Sequence, residues 1–418
     1  MIKILATSDW HLGNNFHGFD RLEEHRHFLV WLLGKINRKK PDVLLVAGDV
    51  FDSGNPSAAA QELYYSFLDD VSCRFPDLQI VIIAGNHDSA ARLEAPRLML
   101  ERHRVFVRGV FQFTSDGVID KSELVIPVHS ASSGERAWVL AVPYLRESDL
   151  PKSDNYGSAV SRFLSEMIEY ATRKRSSDKE AMLLMAHFYA RGSEIAENSS
   201  ERIVIGGSEV VAVSEVTGDV TLAVVGHLHR NQHIEGKEHW VYPGSALPMS
   251  FAERHYRHGA VYYEIENEQL KGEGEFLSYQ LQHPLLSLPE RPRPLAEVIE
   301  LLNDLPDADG DDGEDDAPYL EVNVLLTEAD PSVQKRVTDI TDKKKVRLCR
   351  VPVAYQSAGD TDDEVEMESI DDLLTRNPID FVKQSYKNKY GFEMSDELTA
   401  LARIAIEAAR KEEEGGEE

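Results

Sequence analysis

Ile2-Lys3-Ile4-Leu5-Ala6-Thr7-Ser8-Asp9-Trp10-His11-Leu12-Gly13 opens the chain with an apolar run that gives way to a carboxylate, an indole and an imidazole. An apolar run that ends in ligand-type polar residues recurs four times. Residues 43–47 lead into Gly48-Asp49-Val50-Phe51-Asp52, 80–84 into Gly85-Asn86-His87-Asp88, 182–185 into Ala186-His187, and 222–225 into Gly226-His227-Leu228-His229. The runs are rich in Val, Ile and Leu without alternation, the composition of strands buried on both faces. An α/β fold follows, with five polar motifs expected on one rim of one sheet. Open α/β sheets bind ligands at that rim, beyond the carboxyl ends of their strands.

These residue types suit a pair of divalent cations about 3.5–4 Å apart, sharing a carboxylate, that polarise one phosphoryl group and activate one water. Asp49 is the bridging candidate. Asp9, His11 and His229 complete one metal position, and Asn86, His187 and His227 the other. Mixed carboxylate, amide and imidazole ligation without thiolate suits manganese, iron or zinc. His87 follows a candidate ligand, and neighbouring residues of an extended segment point different ways, so it is expected to face the substrate as a general acid. Asp52 is expected to orient the His87 ring by accepting its second N–H.

Taken in order, the motifs resemble the calcineurin-like metallophosphoesterases. Ser-Asp-Trp-His-Leu-Gly at 8–13, Ala-Gly-Asp-Val-Phe-Asp at 47–52, Ala-Gly-Asn-His-Asp-Ser at 84–89, Gly-His-Leu-His at 226–229 and Tyr-Pro-Gly-Ser at 242–245 resemble the SbcD branch, nuclease subunits of bacterial SbcCD complexes and counterparts of the Mre-type repair nucleases. The resemblance implies a two-sheet sandwich flanked by helices, with two metal ions, manganese by preference, on the seven ligands above. His87 would be the catalytic histidine. It further implies an ATP-linked 3′–5′ double-strand exonuclease and single-strand endonuclease that acts on DNA ends and hairpins. The implied partners are an SbcC-type coiled-coil ATPase, in a heterotetramer, and a second copy of the chain. In relatives the homodimer forms through the helices that correspond to about 58–74 and 91–103 of this chain, where Leu63, Tyr64, Phe67 and Leu68 are candidates for the face. Asp52 is the position at which archaeal relatives carry histidine. Another phosphoesterase of the same fold would keep every ligand, and an inactive scaffold would be expected to lose some.

A formal charge of −28 sits oddly with DNA binding, since phosphate contacts call for a basic footprint. Twenty of the acids, however, fall in three short segments, 307–316, 360–372 and 412–418, which read as solvated loops and a tail. Arg92, Arg97, Arg102, Arg104, Arg191, Arg230, Arg254 and Arg257 are the basic residues available for a DNA path. Cys73 and Cys349 lie far apart, which argues against a disulfide and fits the cytoplasm. Residues 1–30 show no basic segment followed by an apolar stretch, and no 18-residue apolar run occurs, so neither secretion nor a membrane span is expected.

At 418 residues, more than one domain is expected. Helices are read at 21–38, 58–74 and 91–101, and further strands at 138–143, 239–242 and 259–265. A proline-rich stretch at 282–294 separates a nuclease domain, 1–283, from a small α+β capping domain, 284–358, with helices at 295–302 and 331–340 and strands at 319–325 and 346–352. An acidic linker, 359–376, then leads to two C-terminal amphipathic helices, 377–418, which by resemblance dock on the ATPase. His17 lies in the 13–18 loop expected to overhang the metals; the remaining histidines read as surface or packing residues.

Overall fold

A computed structural model describes residues 1–150, 155–177, 179–196, 210–308, 316–327 and 330–355, then 379, 382–383, 386, 394–395 and 398–403. The expected linker at 359–376 lies outside the described residues, as does most of the pair of helices expected at 377–418. Two compact units divide the chain, the first ending at Leu285 and the second beginning at Leu286.

Two stacked sheets build the first unit. One runs in the order Gln269–Leu270, Gly259–Glu266, Ile2–Thr7, Val43–Ala47, Gln79–Ile83, Val105–Arg108, with Glu275–Ser278 also paired to Gly259–Glu266. Its last four strands are mutually parallel, and Gly259–Glu266 is antiparallel to the first of them. The second sheet runs Gln232–His233, Trp240–Tyr242, Leu222–Gly226, Ala181–His187, Arg136–Ala141, Val125–His129. The absence of alternation in the strand sequences has a direct cause. Ile4, Ala6, Val43, Leu45, Val81 and Ile83 face the other sheet, against Leu183, Met185, Leu222 and Val224. Leu5, Leu44, Val46, Ile80 and Ile82 face helices α1 (Leu22–Lys39) and α2 (Ala58–Arg74), against Phe28, Leu32, Tyr64 and Phe67.

The five motifs therefore do not share one sheet. Those after residues 7, 47 and 83 belong to the first sheet, and those carrying His187 and His227 to the second. A buried strand has the same composition in either sheet, so the sequence pattern is silent on that choice. Leu63, Tyr64, Phe67 and Leu68, the candidate dimer face, are all buried in the helix-to-sheet core. The helix expected at 91–101 is two short ones, α3 (Ala90–Glu94) and α4 (Arg97–Leu100), interrupted at Pro96, whose ring prevents the continuous hydrogen-bond ladder. One long helix had no sequence expectation: α5 (Tyr156–Lys174), capped by the Asn155 side chain on Ser158 N, buries Val160, Phe163, Leu164, Met167 and Ile168.

The second unit packs helices α6 (Leu295–Asn303) and α7 (Val333–Thr341) around Val298, Leu302, Leu320, Val322, Val324 and Val337. The strand expected at 319–325 is two, while the one expected at 346–352 is Arg347–Arg350, with a further strand directly after it. Tyr319–Glu321 and Arg347–Arg350 lie in one three-stranded sheet, Val324–Leu326 and Val353–Tyr355 in another.

Two buried histidines of the first unit are held well below the ordinary histidine value. Burial, with the charges of Arg21 and His11, pushes His25 down to about 3, and burial pushes His258 down to about 4. An unfolded chain takes up a proton on each near pH 6.5, so each costs stability as pH falls from 6.5 towards its folded value. At pH 5 the cost is up to about 2 kcal/mol per residue. His25→Gln should accordingly lose less stability than the parent between pH 7 and pH 5, read by thermal melting of the metal-free chain. Comparison with the parent isolates this residue from the Asp88 carboxyl, which burial pushes up to about 7 and which titrates in the opposite sense.

Candidate metal centre

Register brings the motifs to one level. Thr7 pairs with Val46, Ala47 with Ile83, and Gly226 with His187, so the chain leaves all five strands at the same end. Just beyond, Asp9, His11, Asp49 and His227 adopt φ of 48°, 47°, 47° and 103°. Four non-glycine residues in the left-handed region within one site represent stored backbone strain of about 1–3 kcal/mol each, which persists only where the surroundings impose it. Two glycines allow the approach of the loops. A Cβ on Gly85 would stand 2.1 Å from Asp49 Oδ1, and one on Gly226 would stand 1.8 Å from the Ala47 carbonyl oxygen and 2.6 Å from His187 Nδ1.

The side chains gather in three groups of mutually close ligand atoms: Asp9, His11 and His229; Asp49, His187 and His227; and His11, Asp52 and His87. Asn86 belongs to the second, its Oδ1 lying 3.0 Å from His187 Nε2 and 2.8 Å from His227 Nδ1. Asp49 stands between the first two. Its Oδ2 is 3.3 Å from His187 Nε2 and 3.8 Å from His11 Nε2, while Oδ1 accepts the His87 backbone N–H at 2.9 Å. Asp9 Oδ1 accepts from His227 N at 2.9 Å. Tyr189 closes the wall edge-on to His227, with ring centroids 3.8 Å apart.

Partners behind the ligands orient them. His187 Nδ1 donates to the Ala47 carbonyl at 3.0 Å, which leaves Nε2 for the site. His229 Nδ1 faces Glu253 Oε2 at 3.2 Å. Asp88, fully buried, accepts from Val50 N, Phe51 N and Gly85 N, tying the Asp49 loop to the Asn86 loop. Asp52 departs from expectation. Its backbone carbonyl, not its carboxylate, accepts from His87 Nδ1 at 3.0 Å, while the carboxylate accepts from Asn14 Nδ2 at 3.0 Å and faces His11 Nδ1 at 3.5 Å. His87 is exposed, and with Nδ1 engaged its Nε2 is the nitrogen open to a substrate.

Burial and mutual charge shift the groups of the site in opposite directions. Burial alone would lift the Asp49 carboxyl, but the charge and hydrogen bond of His187, with His11 and His87, hold it well below the carboxylate range. Burial would depress His187, yet Asp49 and Asp9 push it up to about 9. Burial raises Asp9, and burial with the charge of His187 holds His227 far below the ordinary histidine value. Asp9 Oδ2 and both His11 ring nitrogens are buried without a hydrogen-bond partner, a state that ordinarily costs about 1–3 kcal/mol per group. Orphaned oxygen and nitrogen donors around a shared carboxylate fit a pair of divalent cations, with Asp9, His11 and His229 on one, Asn86, His187 and His227 on the other, and Asp49 between them.

All nine residues singled out in the sequence thus lie in one place. Glu253 and Asp88 also belong to the site; nothing in their local sequence marked Glu253, whereas Asp88 closed one of the quoted motifs. Of the basic residues considered for a DNA path, Arg97 is engaged by Glu94, Glu101 and Glu123, and Arg230 by Glu194. His17 rests on the Phe16 and Phe251 rings.

A family model described as calcineurin-like phosphoesterase matches residues 2–231, more than half of the chain. A second, described as type 5 capsule protein repressor C-terminal domain, matches residues 282–390. The chain is 32% identical over 357 residues to the D subunit of nuclease SbcCD from Rhodobacter capsulatus, covering 81% of this chain and 87% of that protein. Identity to the protein of the same name is 29% over 265 residues in Escherichia coli K12, covering 60% of this chain and 62% of that protein. In Bacillus subtilis it is 32% over 264 residues, covering 61% and 64%. The motif order, the cation-fitting geometry at the strand ends and these matches lead to one assignment: the chain belongs to the calcineurin-like phosphoesterases and, within them, to the SbcD family of nuclease subunits.

Proposed function

We propose that this chain is the metal-dependent nuclease subunit of an SbcCD-type complex and hydrolyses DNA phosphodiesters, at ends and hairpins, with two manganese ions. The observation that carries the reading is the convergence of Asp9, His11, Asp49, Asn86, His187, His227 and His229 with an exposed His87 beside them. Bound divalent cations would neutralise charge on the scissile phosphoryl group and lower the pKa of an attacking water. The chain's residues supply the rest. Asp49 is the carboxylate common to both positions. His87, held through Nδ1 by the Asp52 carbonyl, presents Nε2 to protonate the leaving oxygen. Asp52 acts on His11 through its carboxylate and on His87 through its backbone.

The assembly we propose is a homodimer joined to two copies of an SbcC-type coiled-coil ATPase, with 377–418 as the docking segment, 359–376 as the linker and 284–358 as a cap beside the DNA. Leu98 and Met99 on α4, 79% and 71% exposed, support a dimer contact through the 91–103 segment, whereas Leu63, Tyr64, Phe67 and Leu68 are buried. Cleavage is 3′–5′ on duplex and endonucleolytic on single strands, linked to ATP. No helix among the described residues is long and apolar enough to cross a membrane. Two unbridged cysteines are compatible with the cytoplasm we assign it to.

The test is incubation of the full chain, alone and with its ATPase partner, with Mn²⁺ and a labelled hairpin-ended duplex, alongside a small phosphodiester such as bis-p-nitrophenyl phosphate. Metal-dependent cutting of the duplex is expected. Ester hydrolysis without DNA cutting, even with the partner present, would assign the chain to small substrates instead.

A further inference from the structure

Glu253 ends a single 3-10 turn, Phe251–Glu253, and its side chain is fully buried. A buried carboxylate must be hydrogen-bonded, and this one accepts from Met249 N at 2.9 Å and Ser250 Oγ at 3.1 Å. Its Oε2 also stands 3.2 Å from His229 Nδ1. The turn is anchored from the other end of the chain: Phe251 packs on Phe16, and Arg21, held by Glu24, donates to the Pro248 carbonyl. We infer that Glu253 is a positioning residue, which fixes the tautomer and orientation of His229 and thereby the strength of the Asp9–His11–His229 metal position.

The chemistry is that of an imidazole backed by a carboxylate. Because Oε2 accepts, Nδ1 carries the proton and Nε2 keeps its lone pair; the negative charge behind the ring makes Nε2 a stronger donor to a cation. The other position is built differently. His187 is backed by the Ala47 carbonyl, a neutral acceptor, so loss of the Glu253 charge acts foremost on the His229 position.

This inference rests on the two-cation reading, and one experiment separates the two. The metal-free full-length chain is titrated calorimetrically with Mn²⁺ alone, as the parent, Glu253→Gln, Ser250→Ala and His229→Ala. The parent should take up two ions. Glu253→Gln, which keeps the volume and much of the hydrogen bonding, should weaken one step by about 10–100-fold and leave the other unchanged. His229→Ala identifies the step by removing it. Ser250→Ala, which removes a hydrogen bond that orients the Glu253 carboxylate without touching its charge, should weaken the same step less, and it keeps the test open if Glu253→Gln fails to fold. A parent that takes up no Mn²⁺ would overturn the two-cation reading. Two ions bound as tightly by Glu253→Gln and Ser250→Ala as by the parent, or both steps weakened equally, would overturn the role of Glu253 alone.

Discussion

Asp49→Ala should abolish metal-dependent cleavage, with a fall of at least about 10³-fold, and should remove tight binding at both metal positions together. The reason is geometric. Asp49 Oδ2 faces imidazoles of both groups, His187 at 3.3 Å and His11 at 3.8 Å. Its loss removes the charge that would hold both cations and, with it, several kcal/mol of transition-state stabilisation, each 1.36 kcal/mol being tenfold in rate. Two further losses follow inside the protein. His87 N loses its acceptor, and His187 loses the charge that pushes it up to about 9. Asp49→Asn separates charge from shape, because it retains an oxygen for the His87 N–H. Mn²⁺ titration and cleavage rates measured on both variants, with melting curves of the metal-free proteins, provide the check. Cleavage within tenfold of the parent in Asp49→Ala would refute the shared-carboxylate role.

His87→Ala should behave differently, slowing cleavage by about 10²–10⁴-fold while Mn²⁺ stoichiometry and affinity stay at parental values. The contact that couples residue 87 to Asp49 is a backbone N–H, which alanine retains. The ring is exposed, and the hydrogen bond from its Nδ1 to the Asp52 carbonyl leaves Nε2 for a substrate. A competing role is built into the geometry, since His87 also groups with His11 and Asp52 as potential ligands. Metal titration decides between them. Loss of a bound ion in His87→Ala would make His87 a ligand, whereas intact binding with slow cleavage assigns it to proton transfer or charge stabilisation.

Much of the centre was legible in the chain because a buried strand announces itself by composition and the polar residues sit immediately after it. What composition does not carry is which of two sheets a strand joins. Residues 182–185 and 222–225 read like 43–47, yet they lie across the core from it. Asp52 shows a second boundary. Its proximity to His87 was legible, but the hydrogen bond runs through the backbone carbonyl, which every residue type possesses, and the carboxylate was free to turn to His11 and Asn14. Glu253 was invisible for another reason. It is one of 73 acidic residues, and its significance comes from a turn held by Phe16 and Arg21, more than two hundred residues earlier. The break in the helix around Pro96, by contrast, was written in the sequence at the proline itself.

The hydrogen bond from His227 N to Asp9 spans 218 positions of chain, and the centre is complete only when both sheets have stacked. A nascent polypeptide still on the ribosome, or a fragment cut before the His227 strand, lacks His227 and His229, one candidate ligand of each metal position. A chain of that length should hold neither cation at full strength, so the order of synthesis itself would postpone metal-dependent cleavage until both sheets have emerged and closed.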